Sequence, residues 1–297
     1  MKIGIIGTGN VGGAIASNIM LAGFAHELVL LDADGARATA AALDLGHAAA
    51  FSRRPMKISG GGYKDLEGAD IVIISAGANQ KPGQPRSDLA AANAAAIAEI
   101  AKKIPKSKEL ILIIVSNPLD SMVMMAQRAS KMAPHRVIGT GTMIDSARLR
   151  SILSERLNVA PAEISAYVLG EHGDSGFVNW TGASIGAVPL EKFAKLPAAQ
   201  KTQIEKEVRN AAYKIIEGRG ATWDAIGAAA SDLARCIGND ERRVLPASIA
   251  DKAGAHSMPR IIGRAGVIKT MTPPMSASEK KALGKSLAAI RKTFASI

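Results

Sequence analysis

The chain has 297 residues, 47% hydrophobic and 21% charged, with one cysteine and a formal charge of +11. That size favours two domains, with one large α/β domain as the alternative, and the composition excludes disordered, collagen-like and disulfide-stapled classes. With two Trp, three Tyr and five Phe, the core has to be built chiefly from Ala, Leu, Ile, Val and Met.

Strand candidates lie at 2–6, 28–31, 56–59, 71–75, 110–115 and 136–138, and helical patterns at 10–23, 34–47, 88–104 and 119–132 fit between most of them. Continuous apolar strands alternating with helices imply a parallel sheet covered on both faces, the doubly wound α/β arrangement. Past residue 145 the pattern changes. A helix at 145–157 leads to a strand at 164–169, a Gly-rich turn and a loop-and-strand region to about 190. Helices at 201–218 and 222–238, a short Gly/Pro-containing segment and an amphipathic helix at 277–295 complete the chain. The predicted boundary lies near residue 142, dividing a doubly wound domain (1–142) from a second, α+β domain (143–297).

Cys236 sits in an apolar helical stretch and reads as buried filler. A single cysteine cannot form an intramolecular disulfide, so a reducing cytoplasm is expected. The longest apolar runs, such as 110–115, are too short for a bilayer, and the opening residues enter a glycine-rich turn rather than a signal peptide. The positive charge attracts anions in general. No block of five or six Lys/Arg occurs and aromatics are scarce, which argues against a nucleic-acid surface. His26, His47, His135 and His256 lack partners at metal-ligand spacing, so no metal site is expected.

The run Gly7-Thr8-Gly9-Asn10-Val11-Gly12 follows an apolar strand and opens a helix. The first glycine of such a run permits a tight turn, the second lets backbone approach a pyrophosphate, and the third allows close helix–strand packing. Alone it serves NAD, FAD or a turn without nucleotide. Asp32, ending the second strand 25 residues after Gly7, strengthens the nucleotide reading. A carboxylate there accepts hydrogen bonds from ribose hydroxyls and repels a 2′-phosphate, favouring NAD; its plainer role is to cap the next helix.

Four further stretches carry chemistry: Asn79-Gln80-Lys81-Pro82-Gly83-Gln84-Pro85-Arg86, Ser116-Asn117-Pro118, Asp145-Ser146-Ala147-Arg148 and Gly170-Glu171-His172-Gly173-Asp174. Oxidation of a secondary alcohol needs a base for the hydroxyl proton, a partner for that base, a cation for a substrate carboxylate and a group that polarises the carbonyl. His172, Asp145, Arg148 and Arg86 can supply these in that order. Taken singly, each has a plainer structural or solvent-facing role.

Together, GTGNVGG, AGANQKPGQPR, VSNPLD, GTGTMIDSARLR and GEHGDSG resemble the lactate/malate dehydrogenase superfamily, most of all bacterial L-lactate dehydrogenases, from residue 1 almost to the C-terminus. The resemblance implies a Rossmann domain binding NAD through Gly7, Gly9, Asn10, Val11, Gly12 and Asp32, a small 2-oxo or 2-hydroxy acid as substrate, and a homodimer or homotetramer. It makes His172 the proton donor and acceptor, oriented by Asp145. Arg148 grips the substrate carboxylate, Arg86 rides a closing loop to polarise the carbonyl, and Asn117 contacts substrate and the nicotinamide side.

Gln80 occupies the loop position where relatives acting on malate place Arg. A neutral amide leaves a second carboxylate without a counter-charge, at a cost of several kcal/mol if buried. Pyruvate, with a methyl group, fits; Thr222 matches the lactate enzymes' pocket wall, its plainer role being a helix-start cap. The Gly173–Trp180 segment is also similar to 2-hydroxyisocaproate dehydrogenases, so lactate leads, larger monocarboxylic acids follow and malate comes last. Arg150 matches half of a sugar-bisphosphate activation site, but Ser165 stands where a His is expected, which puts activation in doubt. The connection near 250–259 reads several residues short, and the chain opens at its first strand without an N-terminal arm.

Overall fold

A computed structural model describes residues 1–52, 54–77 and 86–297, the side chains of 86–89 excepted. The first half contains strands β1 (Lys2–Ile6), β2 (Glu27–Leu31), β3 (Lys57–Gly60), β4 (Ile71–Ile74), β5 (Ile111–Ile114) and β6 (Val137–Gly139), with helices α1 (Asn10–Ala22), α2 (Gly35–Ala48), α3 (Arg86–Lys103) and α4 (Leu119–Ser130). The strands pair in parallel in the order β3-β2-β1-β4-β5-β6. The order reverses between β1 and β4, and in such sheets ligands bind at that reversal, beyond the strands' carboxyl ends.

The continuous apolar strands follow from burial on both faces. Ile3, Ile5, Ile71 and Ile73 pack with Ile15 and Ile19 of α1 on one side. Their alternate neighbours Ile6, Val72 and Ile74 pack with Ile97 of α3 and Met122 and Val123 of α4 on the other. Each such side chain, removed from water, contributes about 1.5–3 kcal/mol.

The second half runs through α5 (Met143–Leu157), β7 (Ile164–Ser165), β8 (Val168–Leu169), β9 (Phe177–Val178), β10 (Ser184–Ile185), β11 (Val188–Pro189), α6 (Leu190–Phe193), α7 (Ala198–Arg219) and α8 (Asp224–Gly238). It ends in β12 (Arg243–Asp251), β13 (Gly254–Gly263), β14 (Gly266–Thr270) and α9 (Ala277–Ala295). Leu149 and Leu153 of α5 form its core with Ile164, Val168, Val178, Ile204 and Val208. Helix α8 leans back on α1, where a Cβ on Gly227 would crowd Ala14, and buries Leu233, Cys236 and Ile237 against the first half. Cys236 is the buried filler expected of it, its thiol facing the Ile262 carbonyl at 3.3 Å.

Two sequence expectations need correction. The strand expected at 164–169 is two: β7 pairs with β10, and β8 with β9. The segment after residue 238, read as a short Gly/Pro-containing stretch with a strand at 261–262, is an antiparallel meander, β12-β13-β14, that joins β6 and extends the sheet to nine strands among the described residues. Its prolines disguised it. Pro246 and Pro259 stand opposite each other in the β12–β13 register, and the Pro259 carbonyl points outward to the Met271 N–H. The missing N–H groups therefore fall outside that ladder, where proline is tolerated. The connection that reads short near 250–259 lies within this hairpin, closed by Lys252 and Ala253, with Asp251 accepting from the Ala253 N–H at 2.7 Å.

Candidate active site

The β1–α1 turn is shaped by two glycines. Gly7 has φ of +101°, and a Cβ there would lie 2.6 Å from the Ala76 nitrogen. A Cβ on Gly12 would collide with the Gly7 carbonyl oxygen, so only glycine lets α1 approach β1 this closely. Gly9 caps α1 in extended backbone, and no side chain among the described residues makes a cap hydrogen bond to the helix N-terminus. Asn10 and Val11 form its first turn. Open N–H groups and the positive helix end suit a pyrophosphate.

Across the turn, Asp32 accepts from the Thr8 N–H at 2.7 Å and the Thr8 hydroxyl at 2.9 Å, and more weakly from the Asp34 N–H. Burial pushes its proton affinity up, but these donors and the nearby Arg37 outweigh that and hold the carboxyl below its ordinary value. The cap of α2 is Asp34, so Asp32 is released from the capping role weighed above. Arg37, which the sequence reading passed over, brings a guanidinium close to Gly9. The turn fits a dinucleotide with a free ribose edge: its phosphates would meet the α1 N-terminus and its hydroxyls the Asp32 carboxylate.

The chemical residues come from three connections at the same sheet edge. Asn117 follows β5; it is exposed, and its carbonyl accepts from the Asn93 amide at 2.8 Å. Asp145 and Arg148 lie on the first turns of α5, which follows β6. His172 lies in the turn between β8 and β9.

Asp145 joins the other two. Its Oδ2 is 2.7 Å from His172 Nδ1, and its Oδ1 accepts from the Arg148 guanidinium at 3.1 Å. Side-chain exposures of 15% for Asp145 and Arg148 and 25% for His172 leave the imidazole the most accessible of the three. With Nδ1 facing the carboxylate, Nε2 is the nitrogen left to meet a substrate. Burial disfavours the imidazolium, but the Asp145 charge and hydrogen bond, aided by Asp120, outweigh burial and the opposing Arg148, raising the His172 pKa. Burial likewise works against ionised Asp145, yet the His172 and Arg148 partners hold its carboxyl below the ordinary value.

The His172 turn is pinned from several sides. Gly170 exchanges backbone hydrogen bonds with Ser257 of β13 at 3.0 and 2.8 Å. The Glu171 N–H donates to Ser286 Oγ of α9 at 2.7 Å, and the His172 N–H donates to Asp120 Oδ2 of α4 at 2.8 Å. Asp120, Ser257 and Ser286 were missed by the sequence reading. Asp120 carries the one faint signal, an acid in a helix first turn otherwise destined for the core, and the usual explanation of such an acid is the helix dipole.

The remaining expected residues are dispersed or undescribed. Gln80 lies outside the described residues, as does the Arg86 side chain. Thr222 is partly buried in the α7–α8 connection, one residue before the α8 cap Trp223, so it is not the cap itself. Arg150 turns back to the Ser146 carbonyl at 3.4 Å, and Ser165 pairs with Ser184 in β7–β10. No metal-binding cluster of His, Cys, Asp or Glu occurs among the described residues, and no helix among them is long and apolar enough to cross a membrane.

Comparison with known proteins agrees with this geometry. Residues 1–139 match the family described as lactate/malate dehydrogenase, NAD binding domain, and residues 142–297 match lactate/malate dehydrogenase, alpha/beta C-terminal domain. The L-lactate dehydrogenase of Thermus aquaticus is 43% identical over 96% of each chain. That of Allorhizobium ampelinum is 42% identical over 96% of each. The crystal structure of a minor L-lactate dehydrogenase from Enterococcus mundtii, in a ligands-bound form, superimposes with a TM-score of 0.95 at 32% identity, covering 100% of this chain and 98% of the other. Both halves of the sequence and the whole of the fold thus lead to one conclusion: the chain belongs to the lactate/malate dehydrogenase family.

Proposed function

We propose that the chain is an NAD-dependent L-lactate dehydrogenase that interconverts pyruvate and L-lactate. The observation that carries this is the hydrogen-bonded series Arg148–Asp145–His172 at the sheet edge that also holds the Gly7–Gly12 turn. Relatives that match along nearly the whole chain are named L-lactate dehydrogenase, which supports the choice of acid.

Residues 1–142 bind the dinucleotide through Gly7, Gly9, Asn10, Val11, Gly12 and Asp32, and 143–297 supply catalysis and most substrate contacts. Bound NADH supplies two electrons and a hydrogen to the carbonyl carbon. His172 donates a proton from Nε2 to the carbonyl oxygen in reduction and takes it from the lactate hydroxyl in oxidation. Asp145 fixes the imidazole and stabilises its charged form, while the Arg148 guanidinium binds the substrate carboxylate. Asn117 contacts substrate and the nicotinamide side, Arg86 polarises the carbonyl, and Thr222 walls the pocket. Gln80, neutral, accepts the methyl group and provides no counter-charge for a second carboxylate.

The resemblance to bacterial L-lactate dehydrogenases supports a homodimer or homotetramer. The lone, buried Cys236 supports a cytoplasmic location. Oxidation of NADH, followed over a panel of 2-oxo acids, tests the proposal. Pyruvate is expected to give the highest kcat/KM; higher values for oxaloacetate or for a branched 2-oxo acid would replace the lactate assignment.

A further inference from the structure

We infer that Asp120 is a positioning residue for the acid–base chemistry, holding His172 by its backbone N–H and adding a second buried carboxylate to the one that Asp145 sets against the imidazole. The inference rests on His172 being the acid–base residue.

Asp120 is 4% exposed and its carboxylate is shared between two elements. Oδ2 accepts from the His172 N–H at 2.8 Å, and Oδ1 accepts from the hydroxyl of Ser248, a fully buried residue on β12, at 2.6 Å. Ser248 in turn stands opposite Gly139, where β12 joins β6. Three segments distant in sequence therefore meet at one carboxylate: the start of α4 just after Asn117, the His172 turn, and the strand that carries the antiparallel meander. A buried acid of this kind is costly unless its oxygens are satisfied, and here both are. What the acid adds is a fixed position for the His172 main chain and a negative charge near its ring.

The charged groups facing His172 are Asp145 and Arg148 from α5 and Asp120 from α4, while Glu171 of the same turn acts on Asp120. Asp145 and Asp120 favour the imidazolium and Arg148 opposes it. Burial raises the Asp120 carboxyl to about 6, against the pull of the Ser248 hydroxyl and the His172 N–H. It is thus largely ionised in the range where an imidazole with a raised pKa releases its proton.

The test is the pH dependence of kcat/KM for pyruvate at saturating NADH, over about pH 5 to 9, in wild type, Asp120→Asn and Ser248→Ala. Asp120→Asn keeps an acceptor for the His172 N–H and removes the charge. Its midpoint is expected to fall by about half a unit or more, with kcat reduced about tenfold and KM little changed. Ser248→Ala keeps the carboxylate but removes a donor, and a smaller shift in the same direction is expected. Melting temperatures identify variants that fold. An unmoved midpoint in folded Asp120→Asn, whatever its rate, reduces Asp120 to a packing role and overturns the inference. If Asp120→Asn does not fold, Ser248→Ala decides by the same criterion. Full turnover in His172→Ala would remove the acid–base assignment itself, an outcome distinct from an unmoved midpoint in these variants.

Discussion

Asp145 places one carboxylate oxygen 2.7 Å from His172 Nδ1 and the other 3.1 Å from the Arg148 guanidinium, so one acid fixes both the imidazole and the cation beside it. The three residues reach this contact from α5 and from the β8–β9 turn, held against each other by the core of the second half. An acid so shared orients both partners while leaving Nε2 free of the carboxylate.

Removing the proposed proton carrier is the most direct test. His172→Ala is expected to lower kcat for pyruvate reduction by about 10²–10⁴-fold, the usual worth of general acid–base catalysis. NADH binding, read by fluorescence, is expected to survive because the glycine turn is untouched.

Asp145→Asn is expected to lower the pH midpoint for pyruvate reduction, because the neutral amide no longer stabilises the imidazolium. Stability follows the same linkage. The His172 pKa is raised above 6.5, so its contribution is fully present below pH 6.5 and is lost as pH rises through the raised value. Asp145, held below 3.8, contributes above that pH, and its share is lost as pH falls through the lowered value. Urea denaturation at a series of pH values is expected to show both slopes in wild type; in Asp145→Asn the Asp145 slope is expected to be absent and the His172 slope weakened.

Arg148→Lys keeps the charge but loses the planar fork. A fall in kcat/KM for pyruvate of about 10–100-fold is expected, the equivalent of one charge-assisted hydrogen bond at about 1.5–3 kcal/mol. Steady-state kinetics with NADH held saturating gives the number; an unchanged kcat/KM would remove Arg148 from the carboxylate contact.

Gln80→Arg is expected to raise activity on oxaloacetate and depress it on pyruvate, since the new guanidinium pairs a second carboxylate and strands a methyl group beside a charge. The ratio of the two kcat/KM values is the readout. A ratio unaltered by the change would show that Gln80 does not read the substrate side chain.

At the cofactor turn, Gly12→Ala forces a Cβ into the Gly7 carbonyl. Overpacking of this kind costs about 1–3 kcal/mol, so the melting temperature and NADH affinity are both expected to drop. Gly13→Ala provides the control, since a Cβ there meets nothing within 4 Å.

By itself the sequence determined the local and the periodic: continuous apolar runs at 71–74 and 110–115 that suit strands buried on both faces, the glycines that let α1 approach β1, and the residue types that acid–base chemistry with a carboxylate substrate requires. Asp145 and Arg148 were legible as a pair because three residues of helix put them on neighbouring turns. Tertiary structure alone decided what no spacing encodes. It placed Asp120, Ser257 and Ser286 around the His172 turn, and it paired Pro246 with Pro259 so that a proline-bearing segment became part of the main sheet. Such contacts join residues from separate elements, and their energies exist only once the cores have closed and excluded water. The side chains concerned are ordinary serines, prolines and an acid whose meaning lies in the partner rather than in the neighbouring sequence.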